Sequence, residues 1–251
     1  MLADHLAQRG EIVDPDGVAA ATGALNKAVA EAGQAVLKAA YESNVTPGEF
    51  SPDAKSAGKR ALKLTALERL GDLGTTEVRE LAVKHFEQAD NMTDSAGALS
   101  VLVSLGGAEA DGALAAFHEK WHDDPLVLDK WLMLQGRGPG DGTLDRVKEI
   151  RASDAIDWTN PNRFRSLIGG FASNHHRFHA ADGSGYAFFA EQLEWLDKLN
   201  PQTTARMATA FDTWRRFDAG RQDKMRTQMQ RLVDRSDCSR DLFEIVTRVL
   251  G

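Results

Sequence analysis

The chain has 251 residues, of which 42% are hydrophobic and 27% charged, and its formal net charge is −7 at pH 7. This length allows one large core or two ordinary domains. The acidic balance argues against a general nucleic-acid-binding protein, because contacts to phosphates require an excess of lysine and arginine. The single cysteine, Cys238, cannot form an internal disulfide and fits a reducing compartment.

Residues 1–10 lack the charged start and apolar core of a secretory signal. No apolar run along the chain approaches the roughly 18 residues that a membrane-spanning helix needs. We therefore predict a cytoplasmic protein without membrane or nucleic-acid partners.

Proline marks most of the predicted helix starts. Five of the seven prolines follow a residue that caps helix amino termini well: Asp14-Pro15, Ser51-Pro52, Asp124-Pro125, Asn160-Pro161 and Asn200-Pro201. Proline is tolerated at the first helical position because its missing N–H would have no partner there. The side chain before it can accept hydrogen bonds from the free amides of the first turn.

Between these starts the apolar residues recur at intervals of three and four, as at Leu62, Ala66 and Leu70, and glycines follow the runs. The predicted helices lie near residues 16–43, 53–71, 76–89, 92–105, 109–122, 125–135, 142–152, 161–173, 185–199, 201–217, 219–234 and 239–250. Short helices joined by short loops pack as antiparallel neighbours. The sequence thus predicts one all-α domain over residues 1–251, an armadillo/HEAT-like α-superhelix without a sheet.

Residues 118–122 match the H-E-x-x-H pattern through His118, Glu119 and His122. On a helix, two histidines four residues apart can share one zinc ion while the glutamate activates water. Asp141 has the spacing of a third ligand, but it is an aspartate in a glycine-rich loop where such peptidases have a glutamate. No edge strand for a peptide substrate is predicted. We therefore reject a metal site here and predict an ordinary amphipathic helix.

Two further segments need an interpretation. His175 and His179 follow a predicted helix end, so we expect loop histidines rather than metal ligands. The turn at residues 182–186 contains two glycines but lacks the preceding strand of a nucleotide-binding fold. It is interpreted as a tight entry into the next helix.

From about residue 79 the chain resembles the C-terminal helical domain of bacterial aminopeptidase N, a zinc-dependent peptidase family. The matching segments occur in the family's order: 86–94 (FEQADNMTD), 120–122 (KWH), 126–131 (LVLDKW), 160–169 (NPNRFRSLIG), 178–186 (FHAADGSGY), 199–202 (LNPQ) and 217–225 (FDAGRQDKM). Residues 13–16 and 41–44 resemble the family more weakly. The family's zinc helix and its Gly-Ala-Met-Glu-Asn segment belong to an earlier domain and do not occur here.

The resemblance implies a helical superhelix that caps a thermolysin-like catalytic domain and controls the access of peptides to an internal chamber. It implies that the zinc lies in that catalytic domain, that this chain binds no cofactor, and that it carries no catalytic residue. The expected partners are the catalytic domain of the same aminopeptidase and short peptide substrates. The chain alone is expected to be inactive, and upstream helices of the domain are expected to be missing.

The resemblance also places three residues on the chamber wall: Arg206, Gln202 one turn before it, and Arg165. A guanidinium can bind a peptide carboxylate through two hydrogen bonds. Residues i and i+4 share a helix face, so Gln202 and Arg206 could reach one ligand. Without the resemblance, such side chains are more often surface or capping residues. Two alternatives remain: an independent helical scaffold that binds peptides or proteins, and a metallopeptidase using His118, Glu119 and His122.

Overall fold

The structure, a computed structural model, describes residues 2–251. Its α-helices are α1 (Leu2–Gln8), α2 (Pro15–Ser43), α3 (Ala54–Gly71), α4 (Thr76–Gln88), α5 (Met92–Leu105), α6 (Ala108–Trp121), α7 (Pro125–Arg137), α8 (Thr143–Arg151), α9 (Pro161–Phe164), α10 (Gly170–Ala172), α11 (His175–Phe178), α12 (Ser184–Asp197), α13 (Pro201–Ala208), α14 (Ala219–Val233) and α15 (Arg240–Leu250). A π-helix (Arg165–Gly169) and two 3-10 helices (Thr209–Phe211 and Trp214–Arg216) complete the list.

The all-α prediction is confirmed. Within residues 2–251 the only β-type pairing is an isolated bridge between Val13 and Phe217. In the same residues, no helix combines the length and the apolar character that crossing a bilayer requires.

The chain divides into two compact units. One comprises residues 20–131, and the other comprises the residues up to Ala19 together with 132–251. The prediction of a single domain stays a prediction.

In the unit 20–131, α5 lies at the centre and packs against α3, α4 and α6. Its sequence is apolar on most sides, which is typical of a helix covered by several neighbours. Ala98, Leu99 and Leu102 of α5 are fully buried. They meet a core contributed by Leu67, Leu70, Val78, Ala82 and Phe117.

In the unit containing residues 132–251, α12 packs against α13 and α14, and α13 packs against α15. The core is aromatic: the Phe178 ring meets the rings of Phe171, Tyr186 and Phe189 edge to face, with centroids 5.3–6.1 Å apart. Such edge-on pairs stabilise beyond the area they bury, because the positive ring edge faces the negative ring face. This core supports the helix that carries Gln202 and Arg206.

Four of the five proline-marked starts are confirmed: α2, α7, α9 and α13 each begin at the proline. The Ser51-Pro52 prediction is wrong by two positions, because α3 begins at Ala54 with Asp53 as its cap. The Asp53 carboxylate accepts hydrogen bonds from the amides of Lys55 and Ser56. Hydrogen bonds from the Ser56 and Ser51 side chains, together with these amide bonds, hold the pKa of that carboxyl well below its ordinary value.

Two predicted helices are interrupted. The segment 161–173 forms α9, then the π-helix, then α10, and the segment 201–217 ends as a helix at Ala208. Beyond Ala208, the side chains of Trp214 and Arg215 donate hydrogen bonds to the Val249 carbonyl at the end of α15. These bonds satisfy a helix-terminal acceptor that would otherwise be unpaired. The α-helix α13 therefore ends at Ala208, and the residues that follow contact the end of α15 through their side chains.

Candidate functional site

Helix α13 carries two of the three predicted substrate-facing side chains. The Asn200 side chain accepts the Thr203 amide at 3.0 Å and so caps the helix, and Pro201 occupies its first turn. Thr204, Ala205 and Ala208 are buried on the inner face.

Gln202 and Arg206 are exposed on the other side of α13, one turn apart. Among the described residues, neither side chain has a hydrogen-bond or ion-pair partner. Both are therefore available to an external ligand, as a carboxylate-binding pair would have to be.

Arg165, the third predicted residue, opens the π-helix Arg165–Gly169 and is exposed between the buried residues Phe164 and Ser166. A π-turn inserts one extra residue into a helix and often occurs at functional sites. The Phe164 ring stacks on Trp195 of α12, with 5.5 Å between centroids, and this contact holds the Arg165 backbone in place.

Glycine at two positions makes room for the π-helix. A Cβ atom on Gly136 of α7 would lie 2.6 Å from the Phe171 amide nitrogen and 2.8 Å from the Leu167 carbonyl oxygen. A Cβ atom on Gly170 would lie 3.1 Å from the Met133 carbonyl oxygen. The two backbones are therefore in direct contact, which only glycine permits.

The structure places Gln202 and Arg206 side by side, whereas Arg165 belongs to a different helix and contacts neither of them. Arg163, two positions before Arg165, is buried. The chamber-lining role of these residues stays a prediction.

Arg151, which no sequence pattern singles out, lies over the ring of Phe164, the residue before Arg165, at 5.8 Å from its centroid. The Arg151 guanidinium lies 4.3 Å from the Trp195 ring centroid and 5.2 Å from that of Trp158, and its Nε donates to the Gln192 side chain at 2.9 Å. Burial lowers the pKa of Arg151 below its usual value. Cation–π contacts of this kind attach α8 to α12. Nothing in the local spacing of these residues predicts them.

The histidine pair of residues 175–179 is also more structured than predicted. His175 belongs to the short helix α11, so the loop expectation is wrong for it. His179 is buried, and its Nδ1 lies 2.9 Å from the Tyr186 hydroxyl. Burial lowers the pKa of His179 to about 3, and burial also raises the pKa of Tyr186. At neutral pH the hydroxyl therefore keeps its proton and the imidazole is neutral, so the hydrogen bond joins two uncharged groups.

Arg221 links this buried pair to the start of the chain. Its Nε donates to the His179 carbonyl at 2.7 Å, and its two terminal nitrogens donate to Asp218 at 2.7 Å and Asp16 at 2.6 Å. His176 also contacts the Asp16 carboxylate, at 3.1 Å. This guanidinium is buried, each of its three nitrogens donates a hydrogen bond, and it ties Asp16 to α14.

The residues of the H-E-x-x-H pattern do not form a zinc ligand set. The His118 ring lies against the Trp131 indole, with centroids 4.5 Å apart, and burial lowers its pKa. His122 Nδ1 lies 3.0 Å from the Glu119 carbonyl oxygen. In residues 2–251 no three His, Cys, Asp or Glu side chains are grouped so that they could share a metal ion. Asp141 forms an ion pair with Arg177 instead. The rejection of a zinc site stays a prediction, to be tested by metal analysis.

Residues 2–251 match one family model along their whole length, a domain of unknown function (DUF3458_C) described as ARM repeats. The chain belongs to this family. The ARM-repeat description agrees with the predicted armadillo-like class of helical folds.

Curated relatives of this DUF3458_C chain are aminopeptidases N. The chain is 38% identical over 247 residues to that of Caulobacter vibrioides, covering 98% of this chain and 29% of the relative. It is 36% identical over 250 residues to that of Escherichia coli, covering 99% of this chain and 28% of the relative. The chain thus spans less than a third of the length of these relatives. The resemblance to the C-terminal helical domain of aminopeptidase N is confirmed.

A solved structure agrees with this assignment. The crystal structure of Legionella pneumophila aminopeptidase A in complex with aspartic acid matches with a TM-score of 0.81 and 28% identity. The match covers 90% of this chain and 27% of the Legionella chain.

Proposed function

We propose that this chain is the non-catalytic part of a zinc aminopeptidase that caps the catalytic domain and lines the chamber through which short peptides reach it. The observation that supports this most is the match of almost the whole chain to about a quarter of two aminopeptidases N. A separate zinc enzyme would need its own ligand set, and within residues 2–251 no three His, Cys, Asp or Glu side chains are grouped to hold a metal ion.

In this proposal the whole enzyme removes amino-terminal residues from peptides in the cytoplasm. The zinc ion, held by residues outside this chain, would activate the water and polarise the scissile carbonyl. The contribution of this chain is binding and exclusion: a rigid helical wall would admit extended peptides and keep folded proteins from the metal.

Arg206 would bind the downstream end of the peptide. A free peptide ends in a carboxylate, and an unpaired, exposed guanidinium can bind a carboxylate with two charge-assisted hydrogen bonds. Gln202, one turn away, would donate its side-chain amide to the same group or to a peptide carbonyl. Arg165 would supply a second positive charge on the wall.

The experiment compares Arg206→Ala with the unchanged protein in a full-length aminopeptidase that carries this chain as its C-terminal region. Two substrates are needed: an alanine peptide with a free carboxylate, and an alanine chromogenic amide that lacks one. We expect KM for the free peptide to rise about tenfold, because a hydrogen bond to a charged group contributes roughly 1.5–3 kcal/mol. The chromogenic amide should be unaffected.

Arg240→Ala is the matched control, because this arginine is exposed on α15 and, within residues 2–251, forms its ion pair with Glu244. Equal kinetics of the Arg206→Ala and Arg240→Ala proteins on the free peptide would remove Arg206 from the substrate path. A purified 251-residue chain that hydrolyses the chromogenic amide with one bound zinc would contradict the non-catalytic role.

A further inference from the structure

Helix α2 has an unusual distribution of apolar side chains. At about 100° per residue, a sector of roughly 140° between residues 20 and 40 holds only apolar side chains. These are Leu25, Val29 and Val36 together with the alanines at positions 21, 24, 28, 32, 35 and 39. All nine are exposed, and the three large ones are 64%, 53% and 74% exposed.

The opposite side of α2 is the one that packs inward, and it is less apolar. It carries Asn26, Ala30, Gly33, Leu37 and Tyr41, all buried or half-buried. The usual amphipathic pattern, apolar inward and polar outward, is therefore inverted along this stretch.

Helix propensity does not explain the valines on the exposed face of α2. Valine is a poorer helix former than alanine, lysine or glutamate, so Val29 and Val36 weaken a helix that faces only water. Single exposed apolar residues are ordinary, but a continuous apolar face over five turns is typical of a contact surface.

The comparisons indicate what covers this surface. The chain spans 28–29% of the length of the aminopeptidases N that it matches, so most of their polypeptide lies outside the matched region. Six alanines allow the backbone of a second helix to approach closely, and the absence of charge from the sector calls for an equally apolar partner face. This inference rests on the proposed function.

We propose that the outward face of α2, defined by Leu25, Val29 and Val36, packs against an apolar helix in the remainder of the aminopeptidase polypeptide. The face therefore belongs to the interior of the whole enzyme, and it is open to solvent only when residues 1–251 stand alone.

Cysteine protection tests this proposal. Cys238, the single native cysteine, is replaced by serine, and one cysteine is introduced by Val29→Cys or, as the matched control, by Lys27→Cys. Lys27 is exposed on the same helix but outside the apolar sector. Labelling by a maleimide is measured in the 251-residue chain and in Caulobacter vibrioides aminopeptidase N with its matching region replaced by this chain.

We expect both cysteines to react at similar rates in the 251-residue chain. In the chimeric enzyme, the Val29→Cys protein should react at least tenfold more slowly and the Lys27→Cys protein at an unchanged rate. If both sites stay reactive in a chimera that hydrolyses peptides as a monomer, the α2 contact is refuted while the proposed function stands. If both stay reactive and the helical region is inactive and separable by mild proteolysis, the proposed function fails as well.

Two further outcomes decide against the proposal. Protection of the Val29→Cys site that grows with the concentration of the 251-residue chain would identify a second copy as the occupant. The triple change Leu25→Gln, Val29→Gln and Val36→Gln should leave the melting temperature of the 251-residue chain unchanged within about 2 °C. A fall of more than 5 °C would mean that the face already packs within this chain, whether or not the chimera folds.

Discussion

The buried imidazole of His179 should make the folded chain sensitive to mild acid. In the folded state, burial lowers its pKa to about 3, whereas an unfolded histidine titrates near 6.5. Below pH 6.5 the unfolded chain therefore binds a proton that the folded chain does not. Stability from this residue is fully present above pH 6.5, falls as the pH drops, and levels off near pH 3.

The size of the effect follows from the two pKa values. Each pH unit between them costs about 1.4 kcal/mol, so His179 should remove about 2 kcal/mol from the free energy of unfolding between pH 7 and pH 5. The change His179→Gln removes the titration but keeps an oxygen that can accept the Tyr186 hydroxyl. Between pH 7 and pH 5 the free energy of unfolding of the His179→Gln protein should therefore fall by about 2 kcal/mol less than that of the unchanged chain.

The assay is urea unfolding at pH 7.0 and pH 5.0, followed by circular dichroism. The difference between the two proteins cancels every other titrating group that they share. Thr22→Gln serves as the control, because this side chain is exposed on α2 and carries no ionisable group, and the variant should follow the unchanged chain. If the His179→Gln protein and the unchanged chain lose equal stability between the two pH values, the buried neutral imidazole is refuted.

Four further changes test the helix contacts and the rejected metal site. Gly136→Ala should lower the free energy of unfolding by about 1–3 kcal/mol, because its Cβ would lie 2.6 Å from the Phe171 amide nitrogen. A Cβ atom on Gly112 in α6 would meet no atom within 4 Å, so Gly112→Ala should raise the free energy of unfolding by about 0.4–1 kcal/mol. Equal effects of Gly136→Ala and Gly112→Ala in denaturant titrations would contradict the close approach of the two backbones at Gly136. Asn200→Ala should lower the free energy of unfolding by about 1 kcal/mol, because α13 loses its amino-terminal cap. An unchanged midpoint in the same titrations would refute the capping role of Asn200. The unchanged chain and the Glu119→Gln protein should both lack zinc in elemental analysis and should give the same circular dichroism spectrum. One zinc ion per unchanged chain would overturn the rejection of the site.

Local chemistry made most of the helices predictable. At Asn160-Pro161 and Asn200-Pro201 the asparagine side chain accepts a hydrogen bond from an amide of the first turn. The proline that follows has no N–H that would need a partner, so two adjacent residues set the start of the helix. Ser51-Pro52 shows how the same rule misplaces a boundary. Asp53 is a better acceptor for the free amides than the serine, and it moves the start of α3 by two residues.

The candidate site could be predicted only in part. The helical spacing of Gln202 and Arg206 is enough to place them one turn apart, but their exposure depends on which face of α13 packs inward. Arg151 and Gln192 are 41 positions apart and Arg221 and Asp16 are 205 apart, so no local pattern brings them together. The His179–Tyr186 pair is close along the chain but depends on burial, which no local pattern reports. A family resemblance was the only signal in the sequence for the substrate-facing role of Arg206.

The sequence by itself determined the all-α class, most helix boundaries and the family, because caps, prolines and three-and-four spacing act between residues that are close along the chain. Only the tertiary structure decided where those helices break and which faces stay open. Gly136 and Gly170 let two backbones touch beside the π-helix, and beyond the end of α13 the side chains of Trp214 and Arg215 pair with the end of α15. The apolar face of α2 is outward because the helix packs inward through its other side, which carries the buried Ala30 and the half-buried Leu37 and Tyr41. Each of these features depends on atoms that are distant in sequence, whose positions are set by packing.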